Sequence, residues 1–61
     1  DSFIYYDSRG FVRTMTEDYK GAIEDFEAYI EWSKENGMYE IHGEMREAWI
    51  VKLKAGVNPF K

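Results

Sequence analysis

Carboxylates are the most numerous side chains in this sequence that could do chemistry. Five of them fall within twelve positions of the middle of the chain: Glu24, Asp25, Glu27, Glu31 and Glu35. Clustered carboxylates can act as general acids and bases, bind Ca²⁺ or attract a basic partner. A Ca²⁺ loop needs oxygen ligands on a tight turn that contains glycine, and this run has none. Lys20 and Lys34 lie one helical turn from two of the glutamates, so a solvated helix surface is the favoured interpretation.

The other reactive side chains form no recognisable catalytic pattern. The chain has one histidine and no cysteine, which excludes thiolate zinc sites, disulfides and thiol nucleophiles. The run from His42 to Glu44 matches half of a zinc-deaminase signature whose other half requires cysteines. Ser8 and Ser33 have no base at a suitable spacing, and the glycines are too scattered for a phosphate-binding loop. We expect no catalytic residue, no metal site and no cofactor, and predict that the protein is not an enzyme.

Composition narrows the range of partners. Sixty-one residues allow one small domain, and 44% hydrophobic content argues against disorder. The net charge of -4 opposes binding to phosphate backbones, so no nucleic-acid partner is expected. No apolar run is long enough to span a bilayer. The absence of a signal-like leader makes the cytoplasm the default location, and the first residue, Asp1, favours a fragment of a longer protein.

Breaker residues divide the chain into three predicted helices. They run from about Phe3 to Met15, from about Glu17 to Glu35, and from about Glu40 to Lys54. Asn36-Gly37 and Ala55-Gly56 follow the second and third helices, as glycine does at helix ends. No segment alternates with the period of two that marks a strand. The sequence therefore predicts an all-α domain with a helix pair over 3–35, a third helix over 40–55 and a tail over 56–61.

The predicted helices carry apolar stripes with helical spacing. The stripe of the second helix consists of Tyr19, Ala22, Ile23, Phe26, Tyr29, Ile30 and Ser33. The stripe of the third helix consists of Ile41, Met45, Trp49 and Leu53. Thr16 or Asp18 is the expected N-cap of the second helix. Gly43 marks either the start of the third helix or a close approach by another backbone.

The first helix is expected to pack against the second. Phe3, Ile4, Tyr6, Phe11 and Met15 share a broad face, and Gly10 interrupts it. A glycine at this position permits close packing against a neighbouring helix. Because the link between the two helices is short, they should be antiparallel.

The stretch from Asp7-Ser8-Arg9-Gly10 to Tyr19-Lys20-Gly21-Ala22-Ile23-Glu24-Asp25-Phe26 resembles the tetratricopeptide repeat (TPR). In that family a glycine lies midway along helix A, as Gly10 does, and helix B carries aromatic and small residues that match Tyr19, Ala22 and Phe26. Four positions depart from the family pattern: Arg13, Glu17, Tyr29 and Lys34. The resemblance covers about half of the chain.

The TPR resemblance implies a helical hairpin followed by a capping helix over 40–55, from the C-terminal end of a repeat protein. It also implies a non-catalytic protein–protein interaction module that binds a protein or peptide along helix A. The candidate partner-binding residues are Tyr5, Tyr6, Arg9 and Arg13. Asp7 and Phe11 stand nearest the positions of the family's basic clamp, so chaperone-tail recognition is not implied. The alternative is a structural cap or a self-associating element, such as a homodimer through exposed apolar helix faces.

The sequence also indicates where two tryptophans, the histidine and the C-terminal tail lie. We predict that Trp49 lies in the core, that Trp32 packs against the third helix, and that His42 is partly exposed. Asn58-Pro59-Phe60 has two interpretations. It is either a short motif recognised by endocytic EH domains or a chain-stopping turn that folds Phe60 back onto the third helix.

Overall fold

The computed structural model describes residues 2–61, which form three helices joined by short turns. Helix α1 spans Ser2–Met15, α2 spans Tyr19–Glu35, and α3 spans Glu44–Lys54. A π-helical turn, Tyr39–Gly43, leads directly into α3. No strand occurs within the described range, so the predicted all-α class is confirmed. None of the helices in residues 2–61 is long and apolar enough to cross a bilayer.

Local signals set the helix ends. The carboxylate of Asp18 accepts a hydrogen bond from the Gly21 amide at 3.2 Å, which makes Asp18 the N-cap of α2. Gly37 and Gly56 follow α2 and α3 with φ angles of 69° and 78°. Glycine adopts this left-handed backbone without the steric cost that a Cβ would bring. The predicted stop signals are therefore confirmed.

Helix α2 lies between α1 and α3 and is antiparallel to both. Phe3 near the start of α1 stacks on Trp32 near the end of α2, with ring centroids 3.8 Å apart. On the other side of α2, Phe26 lies 5.3 Å from Trp49 of α3 between ring centroids. The predicted antiparallel packing of the first two helices is confirmed, and α1 and α3 consequently run in the same direction.

The core is built mainly from α2, along the stripe predicted for it. Its buried apolar side chains come from α2 and α3: Ala22, Phe26, Ile30, Ile50 and Leu53. Tyr29 and Ser33 of the predicted stripe are also buried, while Tyr19 and Ile23 pack against the core from its edge. Helix α1 contributes Gly10 and Thr14, and the Thr14 hydroxyl donates to the Gly10 carbonyl at 2.8 Å.

The apolar stripe predicted for the third helix is wrong. Ile41 and Met45 are 65% and 55% exposed, and the buried residues of α3 are Arg46, Ile50 and Leu53. A row spaced strictly by four drifts around a helix by about 40° per step. Such a row begins outside the buried face and enters it only near Leu53. The π-helical turn before α3 also changes the helical period at this end.

Both expectations about the tryptophans need revision. Trp32 packs on Phe3 of α1, not on α3, because the end of α2 lies beside the start of α1. Trp49 is half-buried and packs against the core instead of lying within it.

Gly43 fulfils one of the two roles expected of it. It immediately precedes α3, as predicted for a residue at the start of the third helix. The nearest atoms that a Cβ at this position would meet are side-chain atoms, Cδ1 of Tyr39 at 2.5 Å and the Ser33 hydroxyl oxygen at 2.8 Å, so the close neighbour is not another backbone.

Candidate interaction surface

The side chains predicted to bind a partner converge around one buried carboxylate. Asp25 of α2 has a side chain that is only 3% exposed. Arg9 of α1 donates from Nε and Nη2 to its two oxygens, at 3.0 and 2.8 Å. The Nη1 atom of Arg13 lies 3.4 Å from Oδ2 of the same carboxylate. We call these three residues, with Tyr5 and Tyr6, the Asp25 cluster.

The two tyrosines of the Asp25 cluster surround the Arg9 guanidinium. Arg9 Nη1 donates to the Tyr5 hydroxyl at 2.8 Å. The guanidinium carbon lies 4.8 Å from the ring centre of Tyr5 and 5.7 Å from that of Tyr6, within the range of cation–π attraction. Tyr5 is 55% exposed. All four predicted residues therefore lie together, and Tyr5 is the most accessible apolar surface among them.

The two arginines of the Asp25 cluster are paired with carboxylates of the same molecule. The hydrogen bond to Asp25 raises the pKa of Arg9 above its ordinary value. A raised pKa in the folded state means that, while Asp25 is a carboxylate, Arg9 supports stability below its unfolded pKa and loses this effect on the alkaline side only in strong alkali. Arg13 also donates to the Gly21 carbonyl at 3.3 Å and lies 3.7 Å from the Asp18 carboxylate. The cluster thus joins α1 to α2.

The assignment of Asp25 to a solvated acidic surface is wrong. Glu24, Glu27, Glu31 and Glu35 are exposed as expected, whereas Asp25 is buried. Its position three residues after Ala22 and four before Tyr29 places it beside the buried stripe of α2. The sequence did contain a sign that Asp25 could be buried, because a buried carboxylate requires a charged partner. Arg9 and Arg13, one turn apart on the first helix, could supply that partner.

Arg46 is a second buried charge, and the sequence analysis did not single it out. Its side chain is 11% exposed, and Nε donates to Asp7 of α1 at 2.8 Å. Nη1 donates to the His42 carbonyl at 2.9 Å. The guanidinium carbon lies 4.0 Å from the ring centre of Tyr29 and 5.1 Å from that of Trp49. Arg46 therefore connects all three helices.

His42 is half-buried, as expected of a partly exposed residue. Its ring packs edge-on against Tyr29 with centroids 6.1 Å apart. Within residues 2–61, no group of three or more histidine, aspartate or glutamate side chains is arranged to hold a metal ion.

The tail forms the chain-stopping turn, one of the two interpretations of Asn58-Pro59-Phe60. The Phe60 amide donates to Oδ1 of Asn58 at 2.8 Å. The Phe60 ring then lies 4.8 Å from Trp49 and 4.9 Å from Phe11, between centroids. The predicted return to the third helix is confirmed, and the contact extends to α1.

Two grooves flank the helices. The groove between α1 and α3 has a volume of about 350 Å³ and is lined largely by apolar groups, from Asp7, Ser8, Phe11, Val12, Phe26 and Trp49. The groove between α2 and α3 has a volume of about 370 Å³ and is bordered mostly by charged side chains, which include Glu27, Glu31, Lys34, Glu47 and Lys54. The more apolar of the two grooves therefore lies beside α1.

The side of α1 that faces away from α2 carries an uncharged stripe. We define the outer stripe of α1 as Ile4, Ser8, Phe11, Val12 and Met15. Its four large side chains are between 43% and 58% exposed. Tyr5 and Arg9 border the stripe on one edge. On the other edge Phe11 and Met15 contact Phe60 and Asn58 of the tail, and Ser8, Phe11 and Val12 also line the α1–α3 groove. The periodic pattern of α1 predicted that Ile4, Phe11 and Met15 share the broad face expected to pack against α2. In the structure these three residues are exposed, and Gly10 and Thr14 face α2.

Comparison with known proteins yields no relative. No family model matches the chain, and neither the curated proteins nor the solved structures contain a significant match.

Proposed function

We propose that this chain is a non-catalytic protein–protein interaction module of TPR type, acting as part of a longer repeat protein in the cytoplasm. In this proposal α1 and α2 form the repeat-like hairpin and α3 caps it. Two features support the proposal. Gly10 lies against Phe26 where the first two helices cross, and α3 covers the other side of α2. Both features match the resemblance that the sequence carries.

The outer stripe of α1 is the observation that carries the interaction role. Exposed single apolar residues are common, but a contiguous apolar patch on a small domain is typical of a binding site. In this chain 33% of the residues are charged, yet the outer stripe contains none. We therefore place the partner-binding surface on α1.

The Asp25 cluster supplies the polar edge of this surface. Tyr5 lies seven residues before Val12, so both lie on the same side of α1. A partner whose apolar residues cover Val12 would contact the Tyr5 ring beside it. Arg9 contacts both tyrosines, and Arg13 shares the Asp25 carboxylate with Arg9, so in this proposal the two arginines position the tyrosines and the tyrosines contact the partner.

Peptide selection against the whole chain tests the proposed function. Peptides recovered from a random displayed library are measured for affinity to the wild type, to Val12→Glu and to Val51→Glu. Val51 is the matched control, because it is 68% exposed and lies mid-helix on α3, whereas Val12 is 58% exposed on α1. We expect Val12→Glu to weaken binding at least about tenfold and Val51→Glu to leave it unchanged. Equal binding by Val12→Glu and the wild type would overturn the proposal.

A second variant tests the polar edge separately. Tyr5→Ala removes an exposed ring from the surface without removing a core side chain. We expect the recovered peptides to bind it several-fold more weakly than the wild type. Unchanged affinity would remove Tyr5 from the binding surface while leaving the outer stripe in place.

A structural or self-associating role is the second candidate function. The same exposed stripe favours it, because an apolar helix face without a partner can be covered by another copy of the chain. In that role the chain would need no ligand of its own.

A further inference from the structure

We propose that the outer stripe of α1 binds a second copy of this chain, with the two α1 helices antiparallel about a two-fold axis. The inference rests on the placement of the binding surface on α1 and names the partner of that surface.

The spacing of the stripe matches a helix–helix seam. Positions 4, 8, 11 and 15 follow steps of four, three and four, the pattern by which two helices pack along their length. The same steps occur when the positions are taken in the reverse direction. An antiparallel copy therefore places Ile4 opposite Met15 of the second copy, and Ser8 opposite Phe11 of the second copy.

The shapes of the opposed residues are complementary. Ser8 is the one small residue of the seam, and the antiparallel register places the large Phe11 ring over it. Two-fold symmetry repeats this contact on both sides of the axis, as a self-complementary interface requires. Tyr5 and Val12 lie on the same flank of the seam, so symmetry also brings Tyr5 of one copy toward Val12 of the other. A parallel arrangement would place Phe11 against Phe11 and leave Ser8 facing Ser8.

Charge does not oppose this contact. The charged side chains of α1 within the described range are Asp7, Arg9 and Arg13, and each is paired with α2, α3 or the turn that precedes α2. None of them lies in the seam. Two copies can therefore meet without like charges facing each other and without the desolvation of a buried ion. The net charge of -4 does not arise in α1, whose charged side chains are one aspartate and two arginines.

The exposed area reaches the lower limit for a specific dimer. A large side chain that is half exposed leaves on the order of 100 Å² in contact with water. The four large residues of the outer stripe and Tyr5 together amount to roughly 500 Å² per copy, or about 1,000 Å² for two copies, which is near the smallest specific interfaces. We therefore expect a weak dimer.

Sedimentation equilibrium of the whole chain tests the dimer. The wild type, Val12→Glu and Val51→Glu are compared up to about 1 mM, the range of weak association, with helicity measured on the same samples. We expect a monomer–dimer equilibrium whose dissociation constant rises at least about tenfold in Val12→Glu and is unchanged in Val51→Glu. A wild type that stays monomeric over the whole range would overturn the inference. A dimer that Val12→Glu leaves intact would also overturn it.

Cysteine cross-linking tests the register, because the chain has no cysteine of its own. Ile4→Cys and Met15→Cys chains are mixed and oxidised. The antiparallel seam brings these two positions together, whereas two copies of position 4 would lie about 16 Å apart along the axis, beyond the reach of a disulfide. We expect mixed Ile4→Cys/Met15→Cys dimers to predominate. A predominance of Ile4→Cys homodimers would overturn the antiparallel arrangement.

The two proposals fail in distinguishable ways. If the wild type is monomeric and Val12→Glu loses binding to the selected peptides, the dimer is excluded and the interaction module is retained. If Val12→Glu weakens the dimer and the peptide selection recovers no binder, the dimer is supported and peptide recognition is excluded.

Discussion

Gly10 of α1 lies directly against the aromatic ring of Phe26 in α2. A Cβ built at position 10 would be 2.8 Å from Cε1 of this ring, closer than side-chain carbons approach one another. Phe26 is fully buried and packs against Trp49 and Phe60, so moving its ring aside would disturb those contacts. The absence of a side chain at position 10 therefore sets how closely α1 and α2 pack.

Replacing Gly10 by alanine is expected to destabilise the fold. Alanine gains about 1 kcal/mol in helix propensity, but overpacking a filled core costs about 1–3 kcal/mol. We expect a net loss of up to about 2 kcal/mol in the free energy of unfolding, measured by denaturant titration. Ser8→Ala, an exposed change on the same helix, should cause no loss. Addition of Phe26→Leu to Gly10→Ala should recover part of the loss, and strictly additive effects would contradict the contact.

The charge of Asp25 is expected to stabilise the α1–α2 contact. Asp25→Asn keeps the shape of the side chain but removes the charge that two arginines share. We expect the Tm to fall by about 5–15 °C, given the strength of charged hydrogen bonds and the small size of the domain. Glu24→Gln is the matched control, since Glu24 is the exposed neighbour and should change stability little. Equal Tm values for the two variants would contradict the buried role of Asp25.

The planar shape of the Arg46 guanidinium is expected to stabilise the fold in addition to its charge. Arg46→Lys retains a cation but loses the flat face against Tyr29 and the fixed geometry toward Asp7. We expect it to lower the free energy of unfolding by about 1–2 kcal/mol. Lys52→Ala, an exposed change on the same helix, should stay within about 0.5 kcal/mol of the wild type. Chemical denaturation of both variants checks this, and an unaffected Arg46→Lys would show that charge alone suffices.

Phe60 is expected to shield Trp49 from water. Phe60→Ala removes the ring that lies between Trp49 and Phe11, so the indole becomes more hydrated. In a Trp32→Phe background, where Trp49 is the only tryptophan, we expect emission to shift to longer wavelength and the Tm to fall by several degrees. Lys61→Ala should do neither. An unchanged emission spectrum would mean that the tail does not rest on α3 in solution.

The sequence by itself determined the number and type of the helices and the C-terminal ends of α2 and α3. The predicted start of the third helix at Glu40 was wrong, because α3 begins at Glu44 and the residues before it form a π-helical turn. Capping by Asp18 and the glycines after α2 and α3 act over a few residues, so they can be recognised without knowledge of the rest of the chain. The buried stripe of α2 was also predictable, because α2 packs on two sides and its long apolar row remains on the buried face. The glycine at the α1–α2 crossing belongs to the same category.

Only the tertiary structure decided which face of α3 is buried and where the charges lie. The helical period shows which residues share a face, but packing selects the face that is covered, and it buries Arg46 while leaving the predicted Met45 exposed. Arg46 meets Asp7 across 39 positions of sequence, and Arg9 meets Asp25 across 16. Such partners are brought together by the crossing of helices, which no local pattern encodes. The exposed stripe of α1 arises in the same way, since α2 covers the side of α1 that contains Gly10.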